Sequence, residues 1–364
     1  MKKRITSLLA LAAFAVLCAA CSGTAGETPA PQGGQIPAAE SEENHAGQVA
    51  SSGPGETENA GGQPLSQGEG TALEAENVQE PSAVYMTEDI SSEGLMKVYE
   101  ALEAEPAGRV AVKLSTGEPG SNYLRTELIG DLVQSLDAAI VECNTAYGGS
   151  RASTAMHYQV AEDHGYTAIA DVDIMDEEGS MTLPVTGGRN LTENYVGAHF
   201  ANYDYYVILS HFKGHAMAGY GGAIKNISIG IASAEGKNHI HTAGKGGSMW
   251  SAPQDPFLES MAEAGKSVAD ALDGRILYIN VMNRLSVDCD CDGSPAEPDM
   301  HDIGILASYD PVAVDQACVD LVYEAEDGTS LVNRIESRNG LHTLEHGAEI
   351  GLGNREYELI SLDE

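Results

Sequence analysis

The stretch 210–226 sets His211, Lys213, His215 and Lys225 among Gly214, Gly219, Gly221 and Gly222. Glycines let backbone N–H groups approach a ligand without interference from Cβ atoms, and lysine and histidine supply charge, ligation or proton transfer. A second polar cluster, Gly236-Lys237-Asn238-His239-Ile240-His241, follows closely. The chain carries 19 Lys and Arg against 55 Asp and Glu, a formal net charge of −36. Yet Lys213, Lys225, Lys237 and Lys245 all fall in this one region. Such a concentration in an acidic chain predicts a small anionic ligand, bound by His211, Lys213, Lys225 and Asn226 and by backbone at Gly219, Gly221 and Gly222. The other reading is a glycine-rich loop with solvated lysines and structural histidines.

Further groups could join this site. Arg151 follows Tyr147-Gly148-Gly149 at the end of a strand-like run, where a guanidinium fork suits a carboxylate or phosphate. Cys289 and Cys291, among Asp288, Asp290 and Asp292, could grip a soft or borderline metal. The rival reading is a disulfide, since Cys143, Cys289, Cys291 and Cys318 all lie beyond Cys21. A bond between Cys289 and Cys291 would close a very small ring, so Cys143 or Cys318 is the expected partner. His342 and His346, one helical turn apart, could bind a metal or lie on the surface of a terminal helix. Asp315 reads as a solvated helix carboxylate, with metal ligation as the alternative.

These residues need rigid elements to position them. Short apolar runs at 109–114, 138–143, 205–209, 276–279 and 303–307 read as strands, the last three buried on both faces. Helical spacing appears over 123–136 and 153–164. Asp255-Pro256 and Asp310-Pro311 supply helix starts, with Asp as cap and Pro in the first turn. The alternation predicts an α/β fold over 83–364, a mainly parallel sheet flanked by helices, as one large domain or two tightly packed halves. Ligands of such sheets sit beyond the carboxyl ends of strands, which singles out the loops after Cys143, Leu209, Asn280 and Ala307. The negative charge argues against nucleic acid and against docking on anionic lipid.

The amino-terminal stretch 1–20, basic at Lys2, Lys3 and Arg4 and then apolar, reads as a secretory signal peptide. Its end, Leu17-Cys18-Ala19-Ala20-Cys21, resembles a bacterial lipobox, with Cys18 where leucine is usual. That implies lipid attachment at Cys21 and a place on the extracytoplasmic face of the cell membrane; an ordinary signal peptide leaving a free Cys21 is the alternative. Residues 21–82 are rich in Gly, Pro, Ser, Gln and Glu, without Lys or Arg. They read as a disordered acidic tether, because they cannot bury enough apolar surface to offset ordering entropy.

Several motifs, in order, resemble the domain-of-unknown-function 362 family, whose members are often described as uncharacterised iron–sulfur-centre proteins. They are His211-Phe212-Lys213-Gly214-His215, the run from Gly219 to Asn226, Gly230-Ile231-Ala232-Ser233, Tyr147-Gly148-Gly149-Ser150-Arg151, Cys289-Asp290-Cys291, and the closing pair around Ile303 and Asp310-Pro311. Many members carry a ferredoxin-like insert after the second polar cluster. Here that place holds Gly244-Lys245-Gly246-Gly247-Ser248-Met249-Trp250, without a cysteine. A 4Fe-4S cluster needs four thiolates, so the resemblance does not bring one with it.

A second, local resemblance is to nickel-pincer lactate racemases, through the spacing of His215, Lys225 and His241. It implies Lys225 as a covalent cofactor attachment, His241 as a metal ligand and His215 as an acid/base. The alternative is a shared loop geometry for a phosphate or carboxylate. The leading expectation is thus a lipoprotein domain that binds a metal or an anionic small-molecule cofactor in a redox-related role. A racemase or isomerase of small hydroxy acids and a non-catalytic solute- or partner-binding lipoprotein are the alternatives.

Overall fold

The structure, a computed structural model, describes residues 80–363. The expected signal peptide, the expected lipid-attachment residue Cys21 and almost all of the expected tether lie outside the described residues. The chain builds β1 (Ser82–Thr87), α1 (Ser92–Ala101), β2 (Val110–Lys113), α2 (Thr126–Ser135), β3 (Ala139–Glu142), α3 (Thr154–Asp163) and β4 (Val172–Ile174). A hairpin of β5 (Ser180–Pro184) and β6 (Glu193–Gly197) follows, then the central β7 (Tyr205–His211) and a small hairpin, β8 (Lys213–His215) and β9 (Gly219–Gly221). Next come α4 (Ala223–Lys225), α5 (Ala234–His241), α6 (Gln254–Leu272), β10 (Ile276–Met282) and β11 (Gly304–Ser308). The last elements are α7 (Pro311–Glu324), α8 (Thr329–Ser337), α9 (His342–Glu349) and β12 (Tyr357–Ser361).

Eight strands form one sheet in the order β12-β1-β11-β10-β7-β2-β3-β4. The run from β10 to β4 is parallel, as the strand–helix alternation predicts. Strand β11 is antiparallel to both β10 and β1, which makes the sheet mixed. The reason is local. No helix crosses the sheet between β10 and β11, so the chain turns at the end it has just reached and runs back. Every residue of β7 and β10 is buried, in keeping with their continuous apolar runs. One face packs through Tyr206, Ile208 and Tyr278 under the carboxyl-terminal helices, the other through Val207, Leu209 and Ile279 against α1 and α2.

Helix α7 starts as expected: the Asp310 side chain accepts from the N–H groups of Val312 and Ala313, and Pro311 opens the first turn. Helix α6 starts differently. It begins at Gln254 after Pro253 without a side-chain cap, and Asp255 lies inside the first turn, where its charge still complements the helix dipole. Among the described residues no helix is long and apolar enough to cross a membrane.

Candidate functional site

The carboxyl ends of β2, β3 and β7 open onto a cavity of about 200 Å³, walled further by the β8–β9 hairpin, α4, α5 and the loop after β10. Its lining includes Lys113, Arg151, Lys213, Lys225 and Lys237, against only two carboxylates, Glu142 and Asp290. Four of the five cations have internal partners. Lys113 Nζ lies 3.1 Å from Glu142 Oε1 and donates to Asn226 Oδ1 at 2.9 Å. Arg151 bonds Glu118 at 3.1 Å, lies 3.8 Å from Glu142 and donates to the Tyr147 hydroxyl at 2.9 Å. Lys237 donates to the Ala232 carbonyl at 2.6 Å. Lys213 pairs with Asp290.

Lys225 is different. Its Nζ has no hydrogen-bond or ion-pair partner among the described residues, and its pKa is lowered to about 7. Burial is the main cause, and the neighbouring Lys213, Lys113 and Arg151 add to it. Burial alone would raise the Glu142 carboxyl; Lys113, Arg151 and Lys237 overcome it and hold the group at about 2.

The loop that carries Lys225 is fixed from below. Asp315 of α7 accepts from the N–H groups of Ala223 at 2.7 Å and Ile224 at 3.0 Å, and from Asn280 Nδ2 at 2.7 Å. A Cβ on Gly222 would run into that carboxylate, so glycine is required there. Asp315 is therefore neither the solvated carboxylate nor the metal ligand that its helix position suggested: it is fully buried as an anchor for α4. After Lys225 the helix widens into a π-turn over Asn226–Gly230, a local insertion frequent at functional sites.

Three histidines of the region, His211, His215 and His241, separate by hydrogen bonding. His211 uses both ring nitrogens, Nδ1 on Asp290 at 3.1 Å and Nε2 on the Asn283 carbonyl at 2.7 Å. With Lys213 it holds the buried Asp290, and through it the turn between the two cysteines. His215 Nδ1 accepts from the N–H groups of Met217 and Ala218, which leaves Nε2–H for the cavity. His241 Nδ1 donates to the Lys237 carbonyl at 2.7 Å, which leaves a lone pair on Nε2. Burial, with Lys225 nearby, keeps the rings of His215 and His241 neutral; that of His241 is lowered to about 4.

Cys289 and Cys291 are bonded to each other, with Cα atoms 5.2 Å apart, while Cys143 and Cys318 are free and buried. The expected pairing with Cys143 or Cys318 is thus not the one found. Cys143 lies at the end of β3 against the Ile231 carbonyl and Cys318 lies on α7 beside Asn280, so neither comes to the C-x-C turn. Donor atoms of His215, Cys289 and Cys291 lie within 4.8 Å of one another. As a metal site the trio does not fit in this state: the sulfurs share a bond, and a metal on His215 Nε2 would push its proton onto Nδ1, which already faces two N–H donors. The sequence grouped the cysteines with His241 instead.

Arg151, His211, Lys213, His215, Gly221, Gly222, Lys225, Asn226, His241, Cys289 and Cys291 all line this cavity. Gly219 does not; it turns the β8–β9 hairpin at φ +84° against Ile335 and Gly340. His346 is buried against Glu263 at 3.1 Å rather than on a surface, and with His342 stands apart from the cavity. Lys113, Glu142, Tyr147 and Trp250 were not singled out from sequence. Lys113 and Glu142 had a readable signal, since a charge inside a strand buried on both faces needs a partner. Trp250, 67% exposed, stands at the cavity mouth on the glycine-rich loop after α5.

Residues 110–320 match the family described as Domain of unknown function (DUF362), more than half of the chain, and the chain belongs to that family. No curated protein matches it in sequence. Among solved structures it is similar to the lactate racemase apoprotein from Thermoanaerobacterium thermosaccharolyticum, at 14% identity and a TM-score of 0.39, over 67% of this chain and 57% of that one. It is also similar to a protein from Thermotoga maritima, at 14% identity and a TM-score of 0.36, over 71% of this chain and 58% of that one. The chain spans less than two thirds of the length of each.

Proposed function

We propose that this member of the DUF362 family is a lipid-anchored extracytoplasmic protein whose cavity binds a small organic or inorganic anion of the carboxylate or phosphate class. The observation that carries the reading is the charge of the walls, five cationic side chains against two carboxylates, in a chain of formal charge −36. Four of those cations are satisfied internally, and Lys225 is the one without a partner among the described residues. A bound anion would return to Lys225 the stabilisation that burial removed. The Nε2–H of His215 adds a neutral donor. A lipid on Cys21 and the acidic segment after it would hold the domain off the membrane. Calorimetric titration with L-lactate and with inorganic phosphate tests the reading. Saturable binding that weakens at least tenfold in Lys225→Met is expected; no saturable heat from either probe at millimolar concentration would remove it.

A second reading, proton transfer on the bound anion by a racemase or isomerase of small hydroxy acids, is favoured by one specific observation. Lys225, a proton-donating His215 and a proton-accepting His241 line one cavity. Incubation of L-lactate in deuterated water, followed by NMR, would show exchange at its α-carbon. Retention of that hydrogen, together with an unmodified Lys225 by intact mass, counts against it.

A further inference from the structure

The Cys289–Cys291 bond has features of a reactive disulfide rather than a structural one. A crosslink stabilises chiefly by shortening the loops of the unfolded chain, and this one spans two residues, so its structural contribution is among the smallest possible. The turn is also held without it. Asp290 between the cysteines is buried, pairs with Lys213 and His211, and its carbonyl accepts from the Glu118 N–H at 2.7 Å.

The two cysteines differ in exposure. Both line the cation-lined cavity, but Cys289 is 7% exposed whereas Cys291 is only partly buried. Both also line a shallower groove that runs outward past Tyr147, Gly148 and Trp250. One sulfur is therefore reachable from outside, and the other would leave into a field of Lys213, Lys225 and Arg151, which favours a thiolate.

We propose that Cys289–Cys291 is a redox-active pair that exchanges with an external dithiol through this groove. A thiolate of the dithiol attacks Cys291 Sγ, a mixed disulfide forms, and Cys289 departs as the thiolate. The second thiol of the reductant then attacks its own sulfur in the mixed disulfide and releases Cys291. Two electrons pass from the dithiol, which becomes a disulfide, and its two protons end on Cys289 and Cys291 or in solvent. The reduced pair adds up to two negative charges to the cavity wall, so reduction weakens anion binding. That last consequence rests on the anion-binding reading; the exchange itself does not.

The test uses the mature full chain in buffers of reduced and oxidised dithiothreitol at graded ratios, with maleimide trapping and mass analysis. Cys289 and Cys291 are expected to become labelled together and to re-form their bond on reoxidation, with an unchanged circular dichroism spectrum throughout. Cys143 and Cys318, both buried, stay unlabelled. With Cys291→Ser, the reversible two-thiol transition disappears while the fold is kept. Labelling that appears only as the spectrum collapses, or a bond that does not re-form, overturns the proposal. Absence of saturable binding of both L-lactate and inorganic phosphate in either redox state defeats the anion reading and leaves the exchange result standing.

Discussion

His215 and His241 present opposite ring states to one cavity: Nδ1 of His215 accepts from two backbone N–H groups, at 3.2 and 2.9 Å, whereas Nδ1 of His241 donates to a backbone carbonyl at 2.7 Å. Amides only donate and carbonyls only accept, so the backbone itself fixes both tautomers. Nitrogen-15 NMR should find His215 as the Nε2–H form and His241 as the Nδ1–H form. His241 should protonate only near pH 4 and His215 well below its ordinary value, burial being the main cause for both. A titration of either ring above pH 6 would show the assignment to be mistaken.

Lys225 gives the anion site its pH dependence. Its pKa of about 7 means that the ammonium, the form that attracts an anion, gives way to the amine as pH rises through 7. Lactate keeps one charge over this range, so its affinity should fall by up to about tenfold per pH unit above 7. The slope should vanish in Lys225→Met. For stability the sign is the reverse: the lowered pKa disfavours the folded state most below 7, and the penalty lifts between 7 and 10.5. Binding isotherms at several pH values check the first statement, and urea unfolding without ligand checks the second.

Glu142 keeps two buried cations tolerable. Glu142→Gln leaves Lys113 and Arg151 without that charge and should cost about 3–5 kcal/mol in urea unfolding. Adding Lys113→Met should recover part of the loss, since the uncompensated charge goes with it. Glu142 sits at about 2 in the fold against an ordinary 4.5, so its contribution is complete above 4.5 and is lost as pH falls toward 2. The Gln variant should lack that acid-sensitive component; an equal acid loss in both proteins would contradict the pairing.

Lipidation is testable without the ligand. The full chain expressed in a bacterium should partition into the detergent phase of Triton X-114, and Cys21→Ser should move it to the aqueous phase. Equal partition of the two would leave only an ordinary signal peptide.

Much of the sheet was legible because β7 and β10 are nearly continuous apolar runs, a pattern that suits strands buried on both faces. The antiparallel β11 was not, since direction depends on whether a helix intervenes, and the loop 283–303 carries no signal of its own path. Strand β12 at the edge and β1 beside it are short and partly polar and went unread. In the site, Lys225, His215 and Arg151 were readable from composition and spacing. What each does was not, because Asp290 and Asp315 decide it from a distance of 77 residues for Lys213 and about 90 for the Lys225 loop.

The pairing of β1 bears on how the domain would carry load. The chain enters the described fold at the head of β1, which is hydrogen-bonded on one side to β11 and on the other to β12, the last strand made. A pull along the strand axis from the preceding segment meets two ladders in shear at once, instead of peeling one strand from an edge. Release then requires both ladders to part, so the carboxyl-terminal strand shares the load placed on β1.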